Sequence, residues 1–214
     1  MGSMSAATPD SLTTLTRKPE RAGDRAVLDD VLDNTHVGTL STVVDGLPWS
    51  VPMLFARDGD QILLHGSTGA GALRHVADGA AVTFSAFIFD GMVIAETLFD
   101  HSAHYRSAVV RSRIEPATDV DRALTVLSDK LIPGRVAEVR ANTGKERAAT
   151  LALRLPIVDG HWVAKKNAGT PAEPTDPTSW TGVVPAAVTF GAPITQTGDQ
   201  PPASVTALSG RPDH

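Results

Sequence analysis

The chain has 214 residues, 42% hydrophobic and 20% charged, which suits one sizeable core and argues against a wholly disordered protein. A formal net charge of −5 argues against a general nucleic-acid-binding surface, and the lack of cysteine excludes disulfides and thiolate metal sites. No stretch has the length of a membrane-spanning helix and no basic-then-apolar leader opens the chain, so the expectation is a cytoplasmic protein with no nucleic-acid or membrane partner.

Residues 1–20 read as an added leader, Met1–Ser3 ahead of Met4, and a flexible polar segment; one domain is expected over 21–194. Asp24 stands where an N-cap belongs, ahead of Val27, Leu28, Val31 and Leu32 on one helical face, and the helix is predicted to end near Asn34. From Val37 the period changes to that of strands. VGTLSTVV and PWSVPMLFA flank Asp45-Gly46, and Asp58-Gly59 leads into QILLHG, which predicts a three-stranded antiparallel meander. A short helix around Leu73–Val76 precedes AAVTFSAFIF, and a turn at Asp90-Gly91 is expected before a fifth strand, MVIAETLF. HSAHYRS, from His101 to Ser107, reads as a loop or strand entry into AVVRSRIEP. Asp119–Leu131 is predicted helical, with Val120, Ala123, Leu124 and Leu127 on one face and Pro133-Gly134 as its stop. Ala149–Val158 and Gly182–Phe190 are the last strand candidates, separated by a polar Pro/Gly-rich loop, and 195–214 read as a flexible tail. Many short antiparallel strands with few helices predict a mainly β fold closed as a barrel rather than a parallel α/β sheet.

The run QILLHGSTGAGALRHVADGAAV carries the most chemistry. A buried strand opening through Gly and Ser/Thr into a helix presents unpaired backbone N–H groups, a site suited to phosphate, with Ser67 and Thr68 as hydroxyl donors and Arg74 as the cation. The same spacing fits an ordinary strand-to-helix turn whose glycines only relieve backbone strain. Walker and Rossmann signatures are absent. His65 at the strand end reads first as a structural hydrogen-bonding residue. His101 and His104, three apart, lack a third ligand at a familiar metal spacing and read as loop polar residues, with axial ligation of haem iron as the alternative. Asp100, His104 and Ser107 lack the nucleophile elbow of a hydrolase. Trp49, Trp162 and Trp180 fit core packing or stacking on a planar ligand.

GTLSTVVDGLPWSVPMLFARDGDQILLHGSTGAGALRHVADGAAV, then DGMVIAETLFDHSAHYRSAVV, IPGR, AKK and SWTGVVP resemble the flavin-binding split barrels. The branch is the pyridoxamine 5′-phosphate oxidase-like one that includes nitroimidazole-resistance proteins, and the similarity spans roughly Arg25 to Pro185. This resemblance implies a six-stranded antiparallel split barrel of FMN-binding type, a homodimer with flavin sites at the interface, and FMN or FAD as cofactor. It implies hydride or electron transfer to a small-molecule redox substrate. The phosphate would lie at Ser67, Thr68, Gly71, Ala72, Leu73 and Arg74. The ring would lie against Ser50, Val51, Pro52 and Met53 and the strand end at His65 and Gly66, with Tyr105 and the partner's Trp180 region completing the site. Gly71 and Ala72 stand where the oxidases proper carry further basic residues, which leaves Arg74 as the turn's cation and argues against pyridoxamine phosphate as substrate. The alternative is a haem-binding or haem-sequestering split barrel with flavin as co-ligand, His101 and His104 serving the iron.

Overall fold

The computed structural model describes residues 18–69, 71–77 and 79–210. A 3₁₀ turn (Pro19–Arg21) and a two-residue strand β1 (Ala22–Gly23) precede helix α1 (Arg25–Asn34). Asp24 caps α1 as its sequence predicts, its carboxylate accepting from the Val27 N–H at 3.1 Å, while Leu28, Val31 and Leu32 are fully buried. β2 (Val37–Val44) and β3 (Leu47–Leu54) form a hairpin whose Asp45 and Gly46 both have positive φ, as a primed turn requires. After β4 (Ala56–Arg57) and β5 (Gln61–Ser67) come the short helix α2 (Gly71–Ala77) and β6 (Ala81–Ile94). A 3₁₀ turn at Leu98–Asp100 leads to β7 (Ser102–Arg113) and β8 (Glu115–Pro116). Helix α3 (Val120–Leu131), capped by Asp119, is followed by a 3₁₀ turn (Arg135–Glu138) and α4 (Gly144–Ala148). β9 (Thr150–Pro156), β10 (Trp162–Asn167), β11 (Gly182–Pro185) and α5 (Ala203–Leu208) complete the described residues.

The strands form two antiparallel sheets. One runs β1-β10-β7-β6-β2-β3, with β11 added to the far end of β6, and the other runs β4-β5-β9-β8. The chain passes between them at Phe55, between β3 and β4, and at Ile114, between β7 and β8. Both residues are fully buried, so the strand bends at these corners to place a large apolar side chain in the core. The mainly β, antiparallel split-barrel fold is therefore present. Its two sheets do not close into one continuous barrel, because hydrogen bonding is interrupted at the corners and the halves are joined by side-chain packing. α1 and α2 are held by that core, with Leu73 and Val76 facing inward, and α3 covers the outer face of the smaller sheet through Ala123 and Leu127. Lys130, near the end of α3, donates to the Leu32 carbonyl at 2.6 Å and stands 3.7 Å over the Phe55 ring, which ties α3 to α1 and to the corner.

Three expectations of strand layout need correction. The predicted meander is interrupted, because β3 pairs with β2 alone and the Asp58-Gly59 turn joins β4 to β5. Asp90-Gly91 is a bulge inside one long β6, the register against β7 slipping between Phe89 and Gly91. Gly91 has φ +152°, and a Cβ there would lie 2.5 Å from the Val184 carbonyl oxygen, so the close passage of β11 requires glycine. β10 was not anticipated: Lys165 and Lys166 mask a period-two strand whose Trp162 and Ala164 face the core. Within the segment read as a tail, α5 is fastened by Ser204, whose N–H and hydroxyl both donate to Glu138.

Candidate functional site

Two backbone edges diverge from the β4–β5 hairpin. Ala56 pairs with Leu63 and Arg57 with Ile62; continued in the same register, Leu54 would face His65, Met53 would face Gly66 and Pro52 would face Ser67. Those pairs do not form. Past the Phe55 corner β3 keeps only β2, and β5 keeps only β9, so among the described residues both strands turn a partnerless side toward the opening. Backbone N–H and C=O groups along such edges need a partner from water or a ligand. The two stretches predicted to address the flavin ring are thus the two lips of one split.

β-Strand alternation divides the predicted β3 contacts. Ser50 and Pro52 are exposed on the outer face, and the Ser50 hydroxyl lies 2.8 Å from that of Ser41, whereas Val51 and Met53 pack against the core. An outer-face depression of about 330 Å³ begins beside Pro52 and Leu54, lined by Val37, Thr39, Ser85, Phe87, Ser107 and Val109 among others. Its walls carry hydroxyl and apolar groups and no charged side chain. Tyr105 stacks on Phe87 at its far end, ring centroids 5.9 Å apart, and Phe87 remains 55% exposed.

At the other lip, His65 and Ser67 are exposed and Gly66 allows α2 to close on the strand, since a Cβ there would stand 2.1 Å from Leu73 Cδ1. Ser67 Oγ accepts from the Gly69 N–H at 3.1 Å and keeps its own proton free to donate. Thr68 is otherwise engaged: its N–H and hydroxyl both donate to the Ala149 carbonyl, at 3.1 and 3.3 Å. Gly71 and Ala72 form the first turn of α2 and Leu73 is buried beneath it. Arg74 is exposed, with no ion pair or hydrogen bond among the described residues.

Trp180 lies elsewhere in the chain. It is 66% exposed, rests on Gly182 of β11 and therefore belongs with the far end of β6. Glu96 fixes the strap leading to it by accepting from Thr175 and Asp176 N–H groups at 2.8 and 2.9 Å, which lowers the Glu96 carboxyl pKa. Arg106, which sequence reasoning did not single out, joins three elements. It binds Asp90 through Nε and Nη2 at 3.0 and 2.6 Å and Asp30 through Nη1 at 2.6 Å, and the Asp90 hydrogen bonds raise its pKa most. Its position in HYRS on a strand facing α1 was the available signal.

The histidines proposed for haem are tied by hydrogen bonds. His101 Nδ1 accepts from the Ala95 N–H at 3.1 Å, so in the neutral ring Nε2 carries the proton. His104 Nε2 lies 2.7 Å from the Gly169 carbonyl, which can only accept, so that nitrogen also carries a proton. Neither presents a bare Nε2 to a metal in this arrangement, whereas Nδ1 of a neutral His104 keeps its lone pair. Among the described residues no three His, Cys, Asp or Glu side chains gather as a metal-binding group, and no helix is long and apolar enough to cross a membrane.

The family model described as pyridoxamine 5′-phosphate oxidase matches residues 24–162. The FAD and haem binding protein from Mycobacterium smegmatis is 40% identical, with TM-score 0.84 over 89% of this chain and 97% of its own. The flavocytochrome Anf3 from Azotobacter vinelandii has the same fold at 24% identity, TM-score 0.82, covering 95% of this chain and 99% of its own. A putative 5-nitroimidazole antibiotic resistance protein from Bacteroides thetaiotaomicron shares the fold more distantly, at 16% identity and TM-score 0.56 over 68% of this chain and 85% of its own. No curated protein sequence matches the chain. With the matched segment running from the cap of α1 into β10, and so across both lips of the split, the chain belongs to the pyridoxamine 5′-phosphate oxidase family.

Proposed function

We propose that this protein is a homodimeric flavoprotein that holds FAD or FMN in the split and transfers hydride or electrons to a small-molecule substrate. The observation that carries the reading is the opened β3–β5 register, two facing rows of unpartnered backbone groups beside an uncommitted arginine. A flavin ring edge offers alternating donors and acceptors to such rows, and its phosphate suits Arg74 and the Ser67 hydroxyl. The 40% identical relative that binds FAD and haem supports the same reading.

The bound flavin would supply the redox chemistry. This chain's own part is to position and desolvate. Backbone groups along 52–54 and 65–67 orient the ring edge, Pro52 and the apolar wall of the depression keep water from one side, and Arg74 with Ser67 anchors the phosphate. The dimer part of the reading is supported by the outer sheet face, where Val37, Leu54 and Phe87 are each about half exposed on adjoining strands. Pairing through that face would cover these groups and let the partner's Trp180 strap approach the split.

Absorbance of the protein as isolated, followed by mass identification of the released ligand, tests the assignment. A visible absorption band of oxidised flavin is expected. A colourless protein whose melting temperature is unmoved by added FAD and FMN refutes it. Haem binding is the second reading, favoured by the M. smegmatis relative; the hydrogen bonds at His101 and His104 count against those two residues as its ligands. If haem binds, a Soret band unchanged in His101→Ala and His104→Ala is the expected result.

A further inference from the structure

Cross-strand register assigns the side chains on the outer face of the larger sheet. Thr39 stands opposite Ser85, Ser85 opposite Val109 and Val109 opposite Val163, while Phe87, Ser107 and Lys165 form the neighbouring row. Among the described residues on this face, from β3 through β2, β6 and β7 to β10, the charged ones are Arg111, Arg113 and Lys165, and no carboxylate appears. Asp90, at the β6 bulge, turns the other way to Arg106. In a chain whose net charge is −5, this face is a positive exception. Arg113 donates to the Gly79 carbonyl at 2.7 Å, whereas the Arg111 and Lys165 side chains make no hydrogen bond or ion pair among the described residues.

The depression of about 330 Å³ lies where the β2–β6 ladder stops. Its last pair is Thr39 with Ser85; in continued register Val37 would face Phe87, and that pair does not form. The depression crosses β2, β6 and β7, two strand spacings or about 10 Å. Its volume is small for a ligand pocket and suits one ring with a short arm. Val37, Phe87 and Val109 supply apolar walls, and Ser107 supplies a hydroxyl on the β7 side. Lys165 pairs directly with Ser107 on the same face, one strand further out, and its other neighbour is the small Ala22 of β1. Strands stand about 4.8 Å apart, less than the length of a lysine side chain, so the ammonium can reach the rim. An uncharged cavity thus has one half-buried, unpaired cation at its β10 side and the β3 lip at the other. The partner copy proposed for this face would roof the cavity and exclude water from it.

We propose that the depression is a substrate site for a small apolar carboxylate, its acid held by Lys165 and the Ser107 hydroxyl, its body against Phe87 and its far end toward the β3 lip. As a substrate assignment this rests on the flavin reading above; as a binding site it is tested without it. Phenylpropionate and its neutral amide are titrated calorimetrically into the protein as isolated, for the parent chain and for Lys165→Met, Lys165→Arg and Arg111→Met. The parent is expected to bind the acid about tenfold more tightly than the amide. Lys165→Met should remove that preference and Lys165→Arg keep it, both with unchanged melting temperatures, because the Lys165 side chain has no intramolecular partner. Arg111→Met should leave the preference intact, since Arg111 pairs with Thr83 in the row beyond the depression. No binding of the acid, equal affinity for acid and amide, or a preference that survives Lys165→Met overturns the proposal and leaves the flavin assignment standing. A protein that carries no flavin yet binds the acid through Lys165 supports the site and removes its assignment to a flavin substrate.

Discussion

Lys130→Met tests whether the corner at Phe55 is as dry as its geometry implies. The ammonium sits over the Phe55 ring and under the last carbonyls of α1, and burial lowers its pKa from 10.5 to about 8, against a smaller opposing pull from Asp33. In the unfolded chain the amine holds its proton until the ordinary lysine value. Between pH 8 and 10.5 unfolding therefore takes up a proton and becomes harder as pH rises. The stabilisation from the neutral amine is complete above the unfolded value and is lost as pH falls through about 8, a swing of about 3 kcal/mol over the whole window. Methionine keeps the apolar stem and removes the titration, so every other group cancels in the comparison. Urea unfolding of both proteins from pH 7 to 10 should show the parent gaining about 2–3 kcal/mol on the variant. A difference that stays flat over this range would show that Lys130 is hydrated in the folded state, and the packing argument for the corner would fall with it.

Gly66→Ala should cost roughly 1–3 kcal/mol, because the new methyl displaces buried Leu73 and lifts α2 from β5; thermal denaturation and a matching loss of flavin affinity measure it. Arg106→Lys keeps one charge but not the fork that spans Asp90 and Asp30. With Asp30 partly hydrated, the expected loss is about 2 kcal/mol by chemical denaturation. Phe87→Asp places a charge on the outer sheet face, and a shift from dimer to monomer on size-exclusion chromatography is the expected outcome. A dimer that survives the substitution would place the interface elsewhere.

Much of the chain was legible from local pattern. Asp24 caps the helix its position predicts, and the Asp45-Gly46 turn forms, because each depends on residues within one helical turn or one hairpin loop. The strand-to-helix turn itself, a strand ending in Gly and hydroxyl residues before a helix, was also legible locally. The outer-face depression had no such signal, since Thr39, Ser85 and Ser107 come from three strands and meet only through sheet register. β10 escaped notice because the consecutive Lys165 and Lys166 fall on opposite faces and break the alternation that pairing with β7 makes plain.

The sequence by itself determined that this would be an antiparallel β protein with a hydroxyl- and glycine-rich turn opening into α2. Tertiary structure decided what surrounds that turn. Phe55 is buried at the corner where β3 parts from the β4–β5 hairpin and the two lips separate, and β11 crossing beside Gly91 makes a bulge of what reads locally as a turn. Long-range hydrogen bonds settled which groups remain available: Thr68 is spent on Ala149 and His104 on Gly169, while the Arg74 side chain has no partner among the described residues. Local pattern names the residue types a site needs, but availability depends on partners tens of residues away, and only packing chooses among them.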